Sequence, residues 1–539
     1  MGRKWMSRRL AAKLSLGIGL SAAMILQVIP PAKAASYSDI AGSYAAREIA
    51  VVDDLNIMNG TAPGVFSPAK SMTRAEAMTA FLRLLRLQPV TGGVQTFWDV
   101  KRSAWYFGYV QAGVALGVAA GGSDGAYHPE QSMTRQEAAV WLVRFLKQSG
   151  VETGSLSVYS DAGSIADWAR ASVDTVTRLG LMKGSGNSFR PLASVTRAEM
   201  AVMLARIAEK PKWYSQVEAQ IPSNIHLGWQ YDQTMEEYKQ TVLNSPINVL
   251  SPRWYFMNKN GGLEDHTESS LVTWAAGNGR KIWAMVGNQF DADATHLMLS
   301  DSAKNKQFAA ALAGVVSKYK LNGLNLDFEN MIPADKQGFT AFTKDLGARL
   351  KAAGAVLSIT VSPDLGTDWT EAFDYSALAS NADYLVLMAY DEHWGSDPIP
   401  GSVASLPWVN NGLTRLLKVT TPNKIILGTP LYTRDWQVTS ANKTKSSEDL
   451  TLKEQMAVIA RYGIKSTWNT ALGQYTASYT VGGQQHRIWL EEGRSLALKY
   501  QLARRQGLAG MAYWAAGGES GDVWRSLGNE ARFGSYSFR

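Results

Sequence analysis

From residue 224 onward, short apolar runs alternate with longer stretches in which apolar residues recur at helical spacing. Eight such runs fall at 225–230, 247–256, 282–287, 323–329, 356–363, 384–391, 425–432 and 510–514. Helical patterns such as 304–320 and 336–353 lie between most of them. Buried strands alternating with helices in this way predict an α/β fold, a (β/α)8 TIM barrel. The stretch 433–492 is longer than one strand-to-helix loop requires. It contains 475–481 and 487–490, which read as added strands, so a small α+β insertion over the barrel mouth is expected.

The N-terminal part follows a different rule. Three segments share one order of features. The first has Tyr37-Ser38-Asp39, then Gly60, Phe66, Pro68 and Thr73-Arg74-Ala75-Glu76. The second has Phe97-Trp98-Asp99, Gly117, Tyr127, Pro129 and Thr134-Arg135-Gln136-Glu137. The third has Tyr159-Ser160-Asp161, Gly184, Phe189, Pro191 and Thr196-Arg197-Ala198-Glu199. Thr ahead of Arg-x-Glu can cap a helix, with the Glu reaching back to close a capping box. The apolar helices expected at 78–87, 139–146 and 200–207 each bury one face. Units this small cannot bury that face alone, so the three should pack as one helical cluster. A short polar link is expected at 209–222.

These segments resemble S-layer homology domains across residues 36–208, with boundaries expected at 36–90, 95–150 and 157–210. The resemblance implies non-covalent binding to a secondary cell-wall polymer bearing anionic, pyruvylated sugars. Arg74, Arg135 and Arg197 would meet that anion, for which a guanidinium fork is suited. The other reading is that each Arg forms a salt bridge within its own helix. The second repeat departs from the pattern, with Gln136 where the others have Ala and a looser 117–121 stretch.

Charge changes its meaning once the N-terminus is read. Arg3, Lys4, Arg8, Arg9 and Lys13 precede an apolar run from 14 to about 29, then Pro30, Pro31 and Ala32-Lys33-Ala34. This is the pattern of a secretory signal peptide at 1–34, cleaved after Ala34, with an uncleaved anchor as the alternative. Those residues hold six Lys and Arg and no acid, so removing them takes the formal +8 to +2. The basic balance therefore gives no argument for nucleic-acid binding. No later segment is long and apolar enough to span a membrane. The chain has no cysteine, which excludes disulfides, thiol chemistry and Cys-type zinc sites.

The fourth barrel run reads Leu324-Asn325-Leu326-Asp327-Phe328-Glu329. At a period of two, the apolar residues face the outer helices, and Asn325, Asp327 and Glu329 face inward, rising to the C-terminal mouth. Two carboxylates on one buried face cannot easily ionise together, which keeps one protonated near neutral pH. The alternative is a pair bridging to Arg or Lys inside the barrel.

Residues 322–329 resemble the Asp-x-x-Asp-x-Asp-x-Glu signature of family 18 glycoside hydrolases, and the resemblance extends over 222–535. It implies Glu329 as general acid, with Asp327 and Tyr390 holding the substrate's acetamido group. Asn322 and Asn325 stand where the general pattern has Asp. The spore-cortex type of the family also tends to carry Asn there. Asn325 is expected to hydrogen-bond Asp327. The Tyr390-Asp391-Glu392-His393-Trp394 segment looks closer to spore-germination peptidoglycan glucosaminidases than to typical chitinases. Asp391, Trp394, Tyr432 and Arg434 are candidate rim contacts, and Trp514 a candidate floor under the sugar, the alternative being ordinary barrel packing. His393 has no evident metal-ligand partners, so no metal and no cofactor is assigned.

The implied function is that of an exported, cell-wall-attached, retaining hydrolase that cleaves β-1,4 linkages of an N-acetylglucosamine-containing polymer by substrate-assisted catalysis, peptidoglycan being favoured. A surface-displayed chitinase is the first alternative. A non-catalytic carbohydrate-binding surface-layer protein is the second, disfavoured by the joint retention of Glu329, Asp327 and Tyr390.

Overall fold

A computed structural model of the chain describes residues 37–538 other than 123, 222 and 365. The leader expected at 1–34 lies outside the described residues. Each N-terminal repeat supplies two helices: α1 (Ala46–Asp54) and α2 (Arg74–Leu84), α3 (Phe107–Ala115) and α4 (Arg135–Phe145), α5 (Asp167–Arg178) and α6 (Arg197–Ala208). Thr73, Thr134 and Thr196 cap α2, α4 and α6, and the Glu three residues on closes the capping box each time.

The recurring aromatic-Asp motif has an equally local cause. Asp39, Asp99 and Asp161 each accept two backbone N–H groups, from Phe66 and Ser67, Tyr127 and His128, and Phe189 and Arg190. The carboxylate so pins the turn in which Ser67, His128 and Arg190 adopt positive φ. The repeats close a ring through the backbone: Met72 N–H donates to Val195, Val195 N–H to Met133 and Met133 N–H to Met72, at 2.8, 2.8 and 2.9 Å. One hydrophobic core then spans all three repeats.

The expected polar link is not a loop. Pro211 starts helix α7 (Pro211–Glu218), and Trp213 and Val217, four residues apart and so on one face, are buried in the core of the helical cluster.

The barrel has eight staves. They are β1 (Ile225–Trp229), a second stave divided into β2 (Val249–Ser251) and β3 (Arg253–Met257), β5 (Lys281–Gly287), β6 (Gly323–Asp327), β7 (Val356–Val361), β8 (Tyr384–Met388), β9 (Ile425–Pro430) and β15 (Gly510–Trp514). A short β4 (Leu263–Asp265) pairs antiparallel with β3, and contacts of β1 with β15 and of β2 with β5 close the ring. The run expected as one strand at 247–256 is broken at Pro252, which has no N–H for the ladder. The insertion is a five-stranded antiparallel sheet, in the order β11 (Thr444–Thr451), β10 (Tyr432–Val438), β14 (Gln484–Leu490), β13 (Gln474–Val481) and β12 (Ser466–Asn469), with a helix at Leu452–Tyr462. Its first strand, β10, continues directly from β9, so the sheet rises from the barrel mouth.

Barrel and helical cluster are joined by more than the link. Phe533, Tyr536 and Phe538, at the chain's C-terminal end, are buried in the core of the helical cluster. Asn529 exchanges two hydrogen bonds with the backbone of Gln88, at 2.7 and 2.8 Å. Among the described residues, no helix is long and apolar enough to cross a membrane.

Candidate active site

β6 ends at Asp327, and Glu329 stands two residues beyond, where the chain leaves the barrel. Asp327 is 8% exposed and Glu329 somewhat more, so the pair sits at the boundary between packed interior and mouth. Burial, reinforced by the charges of Asp327 and Asp391, pushes the Glu329 carboxyl up to about 9. Asp327 is also raised by burial, to about 6, with the Arg253 guanidinium and a hydrogen bond to Thr360 opposing the rise. A proton near neutral pH therefore resides on Glu329, beside an Asp327 that is largely ionised. One Asp327 oxygen, Oδ1, is buried without a hydrogen-bond partner.

The backbone of Glu329 is fixed by a residue on the next stave. Asn288, directly after β5, accepts the Glu329 N–H at 3.0 Å and donates to the Glu329 carbonyl oxygen at 2.7 Å. The same Nδ2 donates to Thr295 at 2.9 Å. Around the rim, Gln289, Phe290, Asn330 and Asp391 adopt positive φ, the local backbone cost often found where functional side chains are aimed.

Tyr390 lies at the end of β8, buried, with burial and the charges of Asp327 and Glu329 holding its hydroxyl protonated. Its ring meets that of Tyr432 edge-on at 6.4 Å. Tyr432 donates to Asp391 at 2.5 Å, and Arg434 donates to the same Asp391 oxygen at 2.9 Å while also pairing with Asp449. Asp391, Tyr432 and Arg434 thus form one hydrogen-bonded rim cluster. Trp514 caps β15, packed against Trp229 at 5.8 Å and Tyr231 at 5.4 Å and left half-buried. Trp394 stands apart on the loop after β8, 53% exposed. His393 bonds Asp397 at 2.9 Å.

Asn325 departs from expectation. It makes no hydrogen bond to Asp327. Fully buried one layer lower, it accepts from Trp229 at 2.7 Å and donates to Ser358 and Thr360 at 3.1 Å. Side chains two residues apart on a strand stand side by side, and the indole and hydroxyls of neighbouring staves lie closer to the amide than the next inward residue does.

The repeat arginines do not bond within their own helices; Arg74 reaches the second repeat, Arg135 the third and Arg197 the first. Arg74 contacts the Tyr127 carbonyl and Glu137; Arg135 contacts the Phe189 carbonyl, the Lys183 carbonyl and Glu199; Arg197 contacts the carbonyls of Phe66 and Asn59. Arg135 lines a cavity of about 760 Å³ with Tyr44, Lys183, Arg190, Thr196 and Glu199.

Arg253 and Asn288 are site residues that the sequence reading did not single out. Asn288 is the first polar residue after the apolar run 282–287, at the C-terminal end of its stave, whereas Arg253 is a charged residue inside the run 247–256 and opens β3. Those positions were the available signal.

The chain matches the model of Glycosyl hydrolases family 18 over residues 228–519. Residues 36–78, 96–139 and 158–201 match the S-layer homology domain. The uncharacterized glycosylase YvbX of Bacillus subtilis (strain 168) is 27% identical over 328 residues, 58% of this chain and 93% of that protein. A cortical fragment-lytic enzyme of Bacillus cereus is 27% identical over 296 residues, 53% of this chain and 68% of that protein. Among solved structures, a chitinase from Chromobacterium violaceum superposes with a TM-score of 0.53 at 25% identity, covering 57% of this chain and 98% of that one.

Proposed function

The chain belongs to glycosyl hydrolase family 18 and is a glycoside hydrolase with three S-layer homology domains for cell-surface attachment; from that premise we propose that it cleaves peptidoglycan as a retaining N-acetylglucosaminidase. The observation carrying this reading is the Glu329 carboxyl, held neutral by burial beside the ionised Asp327 at the barrel mouth.

Most glycosidases divide the work between two carboxylates, but in family 18 the substrate assists itself. Glu329 donates its proton to the glycosidic oxygen. As that bond breaks, the acetamido carbonyl oxygen of the same sugar attacks the anomeric carbon and gives a cyclic oxazolinium. Asp327 accepts from the acetamido N–H and offsets the positive charge; the Tyr390 hydroxyl donates to the acetamido oxygen. Glu329, now ionised, takes a proton from water as it opens the ring, so the configuration is retained and the acid is restored. Asn325 acts from below by holding Trp229 under Trp514, the floor on which the sugar stacks. Asp391, Tyr432 and Arg434 supply polar contacts at the rim, and Trp394 a further stacking surface.

Export by a cleaved leader and retention on a secondary cell-wall polymer complete the reading. The cavity at Arg135 supports the latter, because Arg135, Lys183 and Arg190 meet there and suit an anionic sugar. The peptidoglycan reading draws support from the similarity to the cortical fragment-lytic enzyme, and a chitinase reading from the similarity to the Chromobacterium enzyme. Mass analysis of products from purified peptidoglycan and from chitin decides between them. Release of reducing N-acetylglucosamine ends from peptidoglycan is expected, and turnover of chitin alone sinks the reading. Activity undiminished in Glu329→Gln would remove the mechanism.

A further inference from the structure

A half-buried guanidinium inside the barrel acts on the charge of Asp327 but makes no salt bridge with it. Arg253 is level with Met285 of β5, which is level with Asn325 of β6, so by register it points into the barrel with them. Its guanidinium carbon lies 5.2 Å from the ring centre of Tyr231 and 5.5 Å from that of Phe256. Tyr231 in turn packs on Trp514, the floor of the site. The aromatic faces hold the cation in place but do not satisfy it. Its Nε is buried with no hydrogen-bond partner, and among the described residues it enters no salt bridge. Arg434, on the other side of the mouth, is by contrast paired with both Asp391 and Asp449. A buried guanidinium N–H with no acceptor is costly, so a fork that keeps one free is suited to an anion that arrives with the ligand.

Resting on the peptidoglycan reading, we propose that Arg253 is a specificity-determining residue that binds a carboxylate carried by the glycan itself. In a strand of alternating N-acetylglucosamine and N-acetylmuramic acid, the acidic group nearest the rings is the lactyl ether of the muramoyl unit. While a stem peptide is attached, that carboxyl is an amide and bears no charge. Cleavage of the amide by an amidase exposes it. The enzyme therefore prefers strands stripped of peptide, and the class of reaction that supplies its substrate is amide hydrolysis at the lactyl group. A planar fork matches a carboxylate in two parallel hydrogen bonds, which a hydroxyl or neutral amide cannot reproduce.

The competing role for Arg253 is electrostatic, since its charge lowers both Asp327 and Glu329. Three substrates separate the two: amidase-stripped glycan strands, the same strands with the carboxyl converted to a methylamide by carbodiimide coupling, and a neutral chito-oligosaccharide. Wild type should cut the acidic strands roughly ten- to a hundredfold better, in kcat/KM, than the methylamide strands, as expected for one charge-assisted contact. Arg253→Gln should lose that preference on top of a common loss on all three substrates from the rise of Asp327 and Glu329, and Arg253→Lys should retain part of the preference. Equal loss on all three substrates makes Arg253 an electrostatic tuner and overturns the proposal. So does a wild type indifferent to methylamidation, a comparison that stands even if the variants fail to fold. Wild type inert on every muramoyl substrate yet active on the chito-oligosaccharide would instead defeat the peptidoglycan reading.

Discussion

Asn288 grips Glu329 by both of its backbone groups, accepting the N–H at 3.0 Å and donating to the carbonyl at 2.7 Å. The acid's side chain is therefore aimed by a neighbouring stave and not by its own strand, which ends at Asp327. Asn288→Ala leaves the carboxyl chemistry intact but frees the segment that carries it. Kcat should fall by roughly ten- to a hundredfold with a smaller change in KM, and stability by about 1–3 kcal/mol for the orphaned backbone groups. Steady-state kinetics beside a denaturant melt tests this; unchanged kcat would show that Glu329 is aimed by its other contacts.

The two carboxyls set the pH range. Asp327 must be ionised and Glu329 protonated, so kcat/KM on a soluble oligosaccharide should rise through about pH 6 and fall through about pH 9. An alkaline limb at the ordinary glutamate value of about 4.5 would contradict the assignment.

The same shift acts on stability. Because the folded-state pKa of Glu329 is raised above its unfolded value of about 4.5, the folded state binds the proton more tightly, and its stability drops as pH climbs from there toward about 9. Glu329→Gln removes that loss. The inactive variant should be more stable than wild type at pH 7, by about 3 kcal/mol in a denaturant melt, with the gain vanishing below about pH 4.

The rim cluster is expected to act on binding. Arg434→Ala removes the partner shared by Asp391 and Asp449, leaving two carboxylates facing each other next to Tyr432. KM should rise roughly tenfold while the Glu329 limb moves to higher pH, since Asp391 already raises that group. A kinetic pH profile with Glu329 unmoved would detach the cluster from the acid.

Truncation after Arg532 should damage the distant domain. It deletes Phe533, Tyr536 and Phe538 from the core of the helical repeats, together with the hydrogen bond from Tyr536 to the Leu85 carbonyl. A loss of several kcal/mol is expected, because large buried aromatics cost about 3–5 kcal/mol each when removed. Cell-wall pull-down and calorimetry of the shortened chain would show both effects, and an unchanged melt would mean the repeats fold without the tail.

Much of this architecture could be read from the chain alone because its causes are local. Thr73, Thr134 and Thr196 cap helices through a Glu three residues away, and the eight apolar runs alternate with helices at a period that admits a barrel. The inward side of residues 325, 327 and 329 follows from two-residue periodicity. What the sequence could not supply were partners distant along the chain. Asn325 is 96 residues from Trp229, Asn288 is 41 from Glu329, and Asn529 is 441 from Gln88. The turn of Arg74, Arg135 and Arg197 toward a neighbouring repeat, the packed link at 211–218 and the unpartnered Nε of Arg253 likewise depended on packing. Periodicity determines which face of an element a residue occupies, whereas what it meets there depends on how separate elements are brought together, and the tertiary structure alone decides that.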